Sequence, residues 1–472
     1  MISQIKIKVY QKIALKGESE TMTFKSILSL STSALSCLLS LSTRASQKPN
    51  IVLVMADDIG HECYGLNGSN QYKTPFLDKL ASKSLYFNHA YSNPVCTPSR
   101  NKIMTGLSNI RNYSAFFQLH PEAAKDNFAI MLKNAGYKTC VAGKWQLNGV
   151  KETAYTGVSP KEAGFDESYC WFVKKTDYDN RYWEPKLEEN GKYIEYPKDK
   201  YGPDILTDRI NDFIRRHKNE PFFVYYPMVL VHAPFVPTPD STDKNCTNEQ
   251  RNFEDMVSYM DKMIHKVVSQ IEKENLSENT LIIVTADNGT HPRIFSKFKG
   301  RVIKGGKGKP TDAGTRVAFM ASWKGKSVAG KRIDDLIDFG DVYATLAEVA
   351  GVKLNKERSV DSVSFLPQIL GEKGEKRDSI YVCNYGKQKT PTIFARNQRY
   401  KLYSTGKFYD ILNDVDEKKN LSQKKLSPLE KEVKAKLQEK IDFMPKKSPL
   451  LGPINDSQKP KKKETKKKEN RK

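Results

Sequence analysis

The chain has 472 residues and carries 78 lysines and arginines against 55 aspartates and glutamates, which gives a formal net charge of +23 at pH 7. This length leaves room for one large domain with an ample core and for one small domain. Seven cysteines are few for such a chain and argue against a disulfide framework. One or two disulfide bridges are possible in an oxidising compartment.

The first predicted element is a signal peptide region covering residues 1–46. A leucine- and serine-rich apolar stretch begins at Phe24, and Thr43-Arg44-Ala45 supplies small residues at the spacing expected for cleavage. The stretch is too short and too rich in serine to span a membrane, so we expect no stable membrane insertion. We expect export to the periplasm or the extracellular space, with a lysosome-like compartment as an open alternative.

A buried strand that ends in two carboxylates comes next. The segment from Pro49 to Gly60 is a short apolar run closed by Asp57, Asp58 and a glycine. Such a run is typical of a strand buried on both faces of a parallel sheet. Open α/β sheets place their sites at the carboxyl ends of these strands. The alternative is that the two acids only cap a loop or a helix.

The stretch Cys96-Thr97-Pro98-Ser99-Arg100 is the most informative motif of the chain. Pro94 lies in a loop before Cys96, and Pro98 predicts the start of a helix with Arg100 in its first turn. Free backbone N–H groups and the positive end of the helix dipole suit an anionic ligand there. The alternative is a buried structural cysteine in a helix-capping loop.

A predicted helix over 124–136 and a strand over 137–142 lead to Gly143-Lys144-Trp145-Gln146, which places Lys144 and Gln146 at another strand end. Residues 150–200 lack a clean period and are predicted to form an insertion over the site. The aromatic rings of this insertion could stack on sugars or form a satellite core under the loop. They are Tyr169, Trp171, Phe172, Tyr178, Tyr182 and Trp183.

The middle of the chain alternates helices and strands. The predicted helices cover 207–217, 252–274 and 341–350, and the predicted strands cover 221–228, 280–286 and 316–320. Polar groups again follow the strands, with His232 after the first and Asp287 and Asn288 after the second. Lys307 lies in a glycine- and lysine-rich loop before the third strand.

From about Asp378 the chain predicts four short strands joined by polar turns, then a charged helix with Ser427 as its N-cap. These elements indicate a small C-terminal α+β domain with an antiparallel sheet. We therefore expect a catalytic domain over 48–375 and a second domain over 376–450.

The last predicted segment, 451–472, is a basic disordered tail. Residues 459–472 hold nine lysines and arginines against two glutamates, and such a charge run is solvated rather than folded. An anionic polymer or a membrane surface is the alternative partner for this tail. The rest of the chain remains basic, which favours a negatively charged partner.

These polar groups are expected to meet at one edge of a single sheet, because the carboxyl ends of parallel strands lie together. The fold class is therefore α/β, with a large mixed, mostly parallel sheet flanked by helices. The converging groups supply hard oxygen ligands that suit Ca²⁺ or Mg²⁺ rather than Zn²⁺ or Cu²⁺. Three cationic side chains around the same point favour a tetrahedral oxyanion such as sulfate or phosphate; they are Arg100, Lys144 and Lys307.

The chain resembles the formylglycine-dependent sulfatases of the alkaline-phosphatase-like superfamily. Its Cys96–Arg100 stretch matches each fixed position of the family signature Cys-x-Pro-Ser-Arg. In that family a formylglycine-generating enzyme oxidises the cysteine to formylglycine. The resemblance runs from about Asn50 to Gly351, and the stretch from Phe408 to Asn420 resembles the C-terminal domain of the family.

The resemblance also implies roles for individual residues. Arg100 would steady the formylglycine hydrate, Lys144 and Lys307 would hold sulfate oxygens, and His232 would face the leaving-group oxygen. The hydrate would attack sulfur, and the aldehyde would reform as sulfate is expelled. Ca²⁺, or alternatively Mg²⁺, would be bound by Asp57, Asp58, the modified Cys96, Asp287 and Asn288.

One position departs from the family pattern. The family usually has Gly-Lys-Trp-His, and this chain has Gln146 at the last position. Glutamine can form hydrogen bonds but cannot act as a base near neutral pH. Another base such as His291 then serves, or turnover is slow, or the protein binds without turnover. Asp312 keeps the carboxylate of a glutamate that the family has after Lys307.

We therefore predict an exported sulfatase that hydrolyses sulfate esters, most plausibly of a sulfated carbohydrate, and that needs a formylglycine-generating enzyme for maturation. No nucleic acid partner is expected. Two alternatives stay open: hydrolysis of phosphate or phosphonate esters on the same scaffold, and non-catalytic binding of a sulfated polysaccharide.

Overall fold

The computed structural model describes residues 48–113, 116–149, 157–173, 180–385 and 391–450. The predicted signal peptide region 1–46, the predicted tail 451–472 and Tyr178 lie outside these ranges. The strands of the described residues are β1 (Asn50–Ala56), β2 (Leu85–Tyr91), β3 (Lys138–Lys144), β4 (Glu167–Trp171), β5 (Lys186–Glu189), β6 (Lys192–Glu195), β7 (Phe222–Pro227), β8 (Thr280–Ala286), β9 (Phe295–Phe298), β10 (Arg301–Lys304), β11 (Arg316–Val317), β12 (Met320–Ser322), β13 (Arg332–Asp338), β14 (Ile380–Asn384), β15 (Thr392–Arg396), β16 (Tyr400–Tyr403) and β17 (Phe408–Asp410).

Most strands form one large mixed sheet of eleven strands, in the order β11-β2-β12-β8-β1-β7-β3-β4-β5-β6, with β13 paired to β2. The five central strands from β8 to β4 run parallel, whereas β5, β6, β11 and β12 pair antiparallel toward the edges. The central strands β1, β7 and β8 are buried along their whole length. Their continuous apolar sequences require that burial, which confirms the predicted fold class.

Helices pack against this sheet. Their bounds are α1 (Pro75–Ala81), α2 (Cys96–Thr105), α3 (Asn109–Asn112), α4 (Pro121–Ala124), α5 (Phe128–Asn134), α6 (Gly202–Arg216), α7 (Glu249–Lys273), α8 (Asp312–Thr315), α9 (Gly340–Val349), α10 (Lys356–Ser359), α11 (Leu366–Leu370) and α12 (Pro428–Phe443). The methionines and branched residues of α7 face the core, as their helical spacing predicted. None of the helices described is long and apolar enough to cross a bilayer.

Two parts of the fold differ from the sequence prediction. The single helix expected over 124–136 is wrong, because α4 ends at Ala124 and the side chain of Asn127 accepts a hydrogen bond from the backbone of Ala129 to begin α5. The insertion was predicted without regular structure, yet β4, β5 and β6 lie in it and extend the main sheet. These edge strands are partly exposed and therefore carry many polar residues, so their sequences lack the alternation of apolar and polar residues that predicts a strand.

The aromatic rings described in the insertion belong to the core rather than to an open sugar platform. Tyr169, Trp171, Phe172 and Tyr182 are each less than 8% exposed. Burial of large rings of this kind contributes strongly to stability. The satellite-core alternative therefore describes these rings.

A second sheet follows, in which β14, β15, β16 and β17 are antiparallel neighbours. Helix α12 packs against it through Leu437 and Ile441. Ser427 is the N-cap of this helix and forms a capping box with Glu430, as the sequence predicted. All cysteines of the described residues are free thiols, so the bridges left open above are not formed among them.

Two buried cations of the second sheet hold the loop that follows Lys307. Arg396, only 1% exposed, forms an ion pair with Asp312 at the start of α8. The Nζ of Lys401 lies 2.7 Å from Glu417 Oε1 and also donates a hydrogen bond to the carbonyl of Pro310. The second sheet therefore fixes the backbone that leads out of the Lys307 loop.

We expect Arg396→Ala to lower the free energy of unfolding by about 3–5 kcal/mol, because it leaves the buried carboxylate of Asp312 without its partner. Arg399→Ala is the matched control, since Arg399 pairs with Asp410 at the exposed surface; its loss should stay below about 1 kcal/mol. Denaturant unfolding of the three proteins measures both. Equal losses for the two variants would contradict the role given to Arg396.

Candidate active site

The predicted carboxylates meet at the ends of two neighbouring strands. Asp57 and Asp58 follow β1, and Asp287 and Asn288 follow β8, whose last residue pairs with the last residue of β1. The backbone N–H of Asp58 donates to Asp287 Oδ1 at 3.1 Å. All four side chains are fully buried. The parallel register of the two strands is thus what brings these oxygens together.

Several of these oxygens have no protein partner. Asn288 donates through Nδ2 to Asp58 Oδ1 at 2.8 Å, which turns the amide oxygen of Asn288 away from that contact. Asp57 Oδ1 and Asn288 Oδ1 are buried and form no hydrogen bond. Buried polar atoms without a partner are rare and costly. Together with Asp58 and Asp287 they form a hard oxygen donor set that fits Ca²⁺ or Mg²⁺.

Three cations reach the same carboxylates from distant parts of the chain. Lys144 Nζ, at the end of β3, lies 2.7 Å from Asp57 Oδ2. Lys307 Nζ lies 2.7 Å from Asp58 Oδ2. Arg100 Nη2, from α2, lies 2.9 Å from Asp287 Oδ2. Three negative and three positive side chains therefore share one buried volume, and a divalent cation added to it would favour an anionic ligand.

The ionisation of the carboxylates follows from these contacts. Burial opposes ionisation of Asp57, but Lys144 and the neighbouring cations outweigh it and hold the pKa of Asp57 well below its usual range. The pKa of Asp58 is likewise lowered, because Lys307 and the neighbouring cations outweigh the effect of burial. Burial and the charge of Asp57 raise the pKa of Asp287 to about 7, although Arg100 opposes this rise.

Cys96 is the first residue of α2 and is 2% exposed. Ser99 fixes the loop before it, because its hydroxyl accepts from the backbone N–H of Asn93 at 3.0 Å. Asp58 holds the pKa of Lys307 above its usual range against the effect of burial. The backbone N–H of Gly308 donates to the carbonyl of Pro94 at 2.8 Å, so the loop of Lys307 contacts the segment that leads into Cys96.

His232 lies in the segment after β7 and borders the carboxylates. Its Nε2 lies 3.6 Å from Asp58 Oδ2, and its Nδ1 lies 3.0 Å from Arg181 Nη2. Asp57, Asp58 and His232 offer ligand atoms within 4.8 Å of one another. Burial lowers the pKa of His232 to about 3, so the ring is neutral near pH 7.

Gln146 follows Lys144 closely, in a left-handed backbone conformation with φ of 59°. Its N–H donates to the carbonyl of Phe172 at 2.9 Å, which anchors the loop to the insertion. Its buried side-chain oxygen has no hydrogen-bond partner among the described residues. Within that part of the chain the amide oxygen is an acceptor that a ligand could use.

Two further candidates of the sequence, His291 and Asp312, form no hydrogen bond or ion pair with these carboxylates among the described residues. The ring of His291 packs edge-on against Phe235, and its Nδ1 accepts from the backbone of Arg293. Asp312 pairs with Arg396 and supports the Lys307 loop instead of joining the cluster. Arg181 was not predicted as a site residue, because an arginine in an aperiodic stretch carries no sequence signal of its own.

Known proteins are similar to this chain over most of its length. A family model described as Sulfatase matches residues 49–352. An N-acetylgalactosamine-6-O-sulfatase of Bacteroides thetaiotaomicron is 27% identical over 427 residues, covering 75% of this chain and 82% of the relative. An N-acetylgalactosamine-6-sulfatase of Rattus norvegicus is 31% identical over 372 residues, covering 71% and 68%. The crystal structure of Ps i-CgsB superposes with a TM-score of 0.69 at 26% identity, covering 86% of this chain and 95% of that one.

We expect Lys144→Met to destabilise the metal-free protein by about 3–5 kcal/mol, because Asp57 is then buried without its nearest cation. The double variant Asp57→Asn/Lys144→Met should lose less than Lys144→Met alone, since it leaves no unpaired charge. Denaturant unfolding in the presence of a chelator measures the difference. If the double variant proved the less stable of the two, the ion pair would not be the interaction that matters at this point.

Proposed function

The chain belongs to the sulfatase family and is a sulfuric ester hydrolase, and we propose that its substrate is the sulfate ester of a carbohydrate. The proposal rests on one observation above all, which is that Arg100, Lys144 and Lys307 meet three buried carboxylates around one point. The similarity to N-acetylgalactosamine-6-sulfatases supports an amino sugar sulfate as the first substrate to test.

The surface beside the site supports an extended anionic substrate. The hairpin of β9 and β10 leads directly into Lys307, and the exposed lysines near it are Lys297, Lys299, Lys304 and Lys309. Lys304 is three residues from Lys307, so the two Cα atoms are at most about 11 Å apart. A sulfated polymer would gain long-range attraction from these charges.

We also propose that Cys96 is converted to formylglycine, as the signature Cys96–Arg100 supports. Formylglycine at this position would supply a hydrated aldehyde, an oxygen nucleophile better suited to sulfur(VI) than a thiol. The start of α2 lies under this position, so its backbone N–H groups favour the negative charge of a bound sulfate. Lys144 and Lys307 provide the two ammonium groups that bind sulfate oxygens.

A divalent cation, Ca²⁺ or alternatively Mg²⁺, is proposed at Asp57, Asp58, Asp287, Asn288 and residue 96. The cation would supply further positive charge for the sulfate oxygens. The unpartnered oxygens of Asp57 and Asn288 support this assignment.

His232 is the proposed donor to the leaving oxygen. Its Nδ1 contacts Arg181 Nη2, which can only donate, at 3.0 Å and the carbonyl oxygen of Ala233, which can only accept, at 2.6 Å, so these contacts fix the position of the ring and not its tautomer. Nε2 faces the carboxylate cluster. The tautomer that carries its proton on Nε2 donates a hydrogen bond to the departing alcohol oxygen in this proposal.

Export to the periplasm or the extracellular space is proposed from the N-terminal sequence, whose apolar stretch and Thr43-Arg44-Ala45 match a cleaved signal. N-terminal sequencing of protein from the extracytoplasmic fraction tests it. A retained N-terminus in the cytoplasmic fraction would contradict it.

One observation favours a second candidate function, the binding of sulfated carbohydrate without turnover. Gln146 supplies no base, and burial lowers the pKa of the neighbouring His232 to about 3. Such a protein would keep the anion-binding groups and lose only the proton acceptor.

The activity prediction is sulfate release from N-acetylgalactosamine 6-sulfate by full-length protein made with a formylglycine-generating enzyme. Peptide mass at position 96 should show one sulfur and two hydrogens replaced by one oxygen. Cys96→Ala should release no sulfate, and Cys246→Ala, a substitution at a cysteine outside the cluster, should match the unsubstituted protein. Gln146→His should raise the steady-state rate at least about tenfold, because it supplies a base.

Two results would overturn this assignment. An unmodified thiol at Cys96, under conditions that convert a control sulfatase, would favour the binding function. A higher rate on an aryl phosphate than on the matched aryl sulfate would contradict the substrate class.

The cation prediction concerns pH. Ca²⁺ must displace the proton that Asp287 holds below its pKa of about 7. We therefore expect the affinity for Ca²⁺ to rise about tenfold per pH unit up to about pH 7 and to level off above it. Titration calorimetry on the unsubstituted protein at pH 5.5, 6.5 and 7.5 measures this. Asp57→Asn should weaken binding at every pH, and a flat affinity from pH 5.5 to 7.5 would contradict the prediction.

A further inference from the structure

Arg181 is a buried cation with an unusual set of neighbours. It lies in the segment that connects β4 to β5, and the residue is 4% exposed. The guanidinium carbon lies 4.3 Å from the centre of the Trp171 ring and 5.2 Å from that of Tyr182. Nη2 lies 3.0 Å from His232 Nδ1, and Nε forms no hydrogen bond.

The other buried cations of the described residues show what Arg181 lacks. Each of them pairs with a carboxylate: Arg100 with Asp287, Lys102 with Asp338, Lys144 with Asp57, Arg396 with Asp312 and Lys401 with Glu417. No carboxylate of the described residues forms an ion pair with Arg181. Within this part of the chain, Arg181 is thus the exception among the buried lysines and arginines.

Its aromatic neighbours do not remove the cost of burial. A cation–π contact contributes about 0.5–2 kcal/mol, whereas burying an unpaired ion costs several kcal/mol. An arginine side chain keeps its charge in proteins. A buried guanidinium that no described carboxylate pairs with is therefore preorganised to bind an anion.

The position of Arg181 indicates where that anion would lie. His232 separates it from the carboxylate cluster, because Nδ1 contacts Arg181 and Nε2 faces Asp58. Lys144 and Lys307 already surround the place of the scissile sulfate. Arg181 is therefore one imidazole ring away from the reacting group, on the side where the leaving alcohol would depart.

We propose that Arg181 binds a second anionic group of the substrate, a sulfate or a carboxylate carried by the sugar that bears the scissile sulfate or by its neighbour. The proposal rests on the proposed function, since it assumes a saccharide substrate. The guanidinium matches both anions because its N–H groups can donate in parallel to two oxygens. Arg181 then selects multiply charged substrates over singly charged ones.

The competing explanation is that Arg181 only orients His232. That role would act on every substrate alike, because the leaving oxygen is common to all. A second-anion site would act on substrates according to their charge. The ratio of kcat/KM between doubly and singly charged substrates therefore separates the two.

The experiment compares the unsubstituted enzyme, Arg181→Gln and Arg181→Lys on three saccharides. These are N-acetylgalactosamine 6-sulfate, the same sugar with a second sulfate, and a 6-sulfated disaccharide whose neighbouring sugar is a uronate. Arg209→Gln is the matched control, since Arg209 also lies over an aromatic ring, that of Tyr169, but pairs with Glu189 at the surface.

We expect Arg181→Gln to lower the preference for at least one doubly charged substrate by about 10–100-fold, mainly through KM, as the loss of a hydrogen bond to a charged group predicts. Arg181→Lys should retain part of the preference, and Arg209→Gln all of it. The substrate affected tells whether the second anion is sulfate or carboxylate. Equal losses on all three saccharides would overturn the proposal.

A binding measurement keeps the inference separate from turnover. Calorimetry with the disulfated sugar and with the uronate disaccharide compares Cys96→Ala with Cys96→Ala/Arg181→Gln, neither of which can react. Weaker binding of at least one of them in the double variant supports the proposal even if no sulfate is released. Equal affinities of the two variants for both saccharides would overturn it, whatever the activity of the unsubstituted enzyme.

Discussion

The structure depends on the neutralisation of three buried carboxylates by three cations, of which Arg100 and Lys144 are buried and Lys307 is partly buried. Asp57, Asp58 and Asp287 come from two adjacent strand ends, whereas Arg100, Lys144 and Lys307 come from a helix, a third strand and a distant loop. An unpaired charge in this volume costs several kcal/mol, so each segment is stable only when the others are in place. The same condition assembles the fold and the anion site, because the cations that stabilise the carboxylates are those proposed to bind sulfate.

The second sheet extends this dependence beyond the large sheet. Arg396 and Lys401 are buried cations of the second sheet. They contact Asp312 and Pro310, respectively, in the segment just after Lys307. The loop is glycine-rich, and glycine restricts the backbone least, so these contacts add to the backbone hydrogen bonds that hold the loop. The position of Lys307 is therefore supported by residues about ninety positions later in the sequence.

The sequence was most informative where one physical rule dominates. Apolar runs such as 50–56 and 280–286 predicted parallel strands, and polar residues directly after them predicted the convergence at one sheet edge. It was least informative in the insertion, where edge strands carry polar residues on their exposed face. Arg181 could not be found in this way, because its interest comes from its burial beside His232 without an ion pair to any described carboxylate, and only the three-dimensional surroundings show this.

Gln146 and Arg181 point in the same direction when they are considered together. The anion-binding groups of the cluster are all present, and Arg181 adds a further cation beside His232. Gln146 is the departure from the family pattern, since a glutamine is no base near neutral pH. Among the described residues, the side chain of His291 contacts Phe235 and the backbone of Arg293 and forms no hydrogen bond or ion pair with the carboxylates. We therefore propose that the site recognises an anionic saccharide tightly and that the missing base at position 146 slows its turnover.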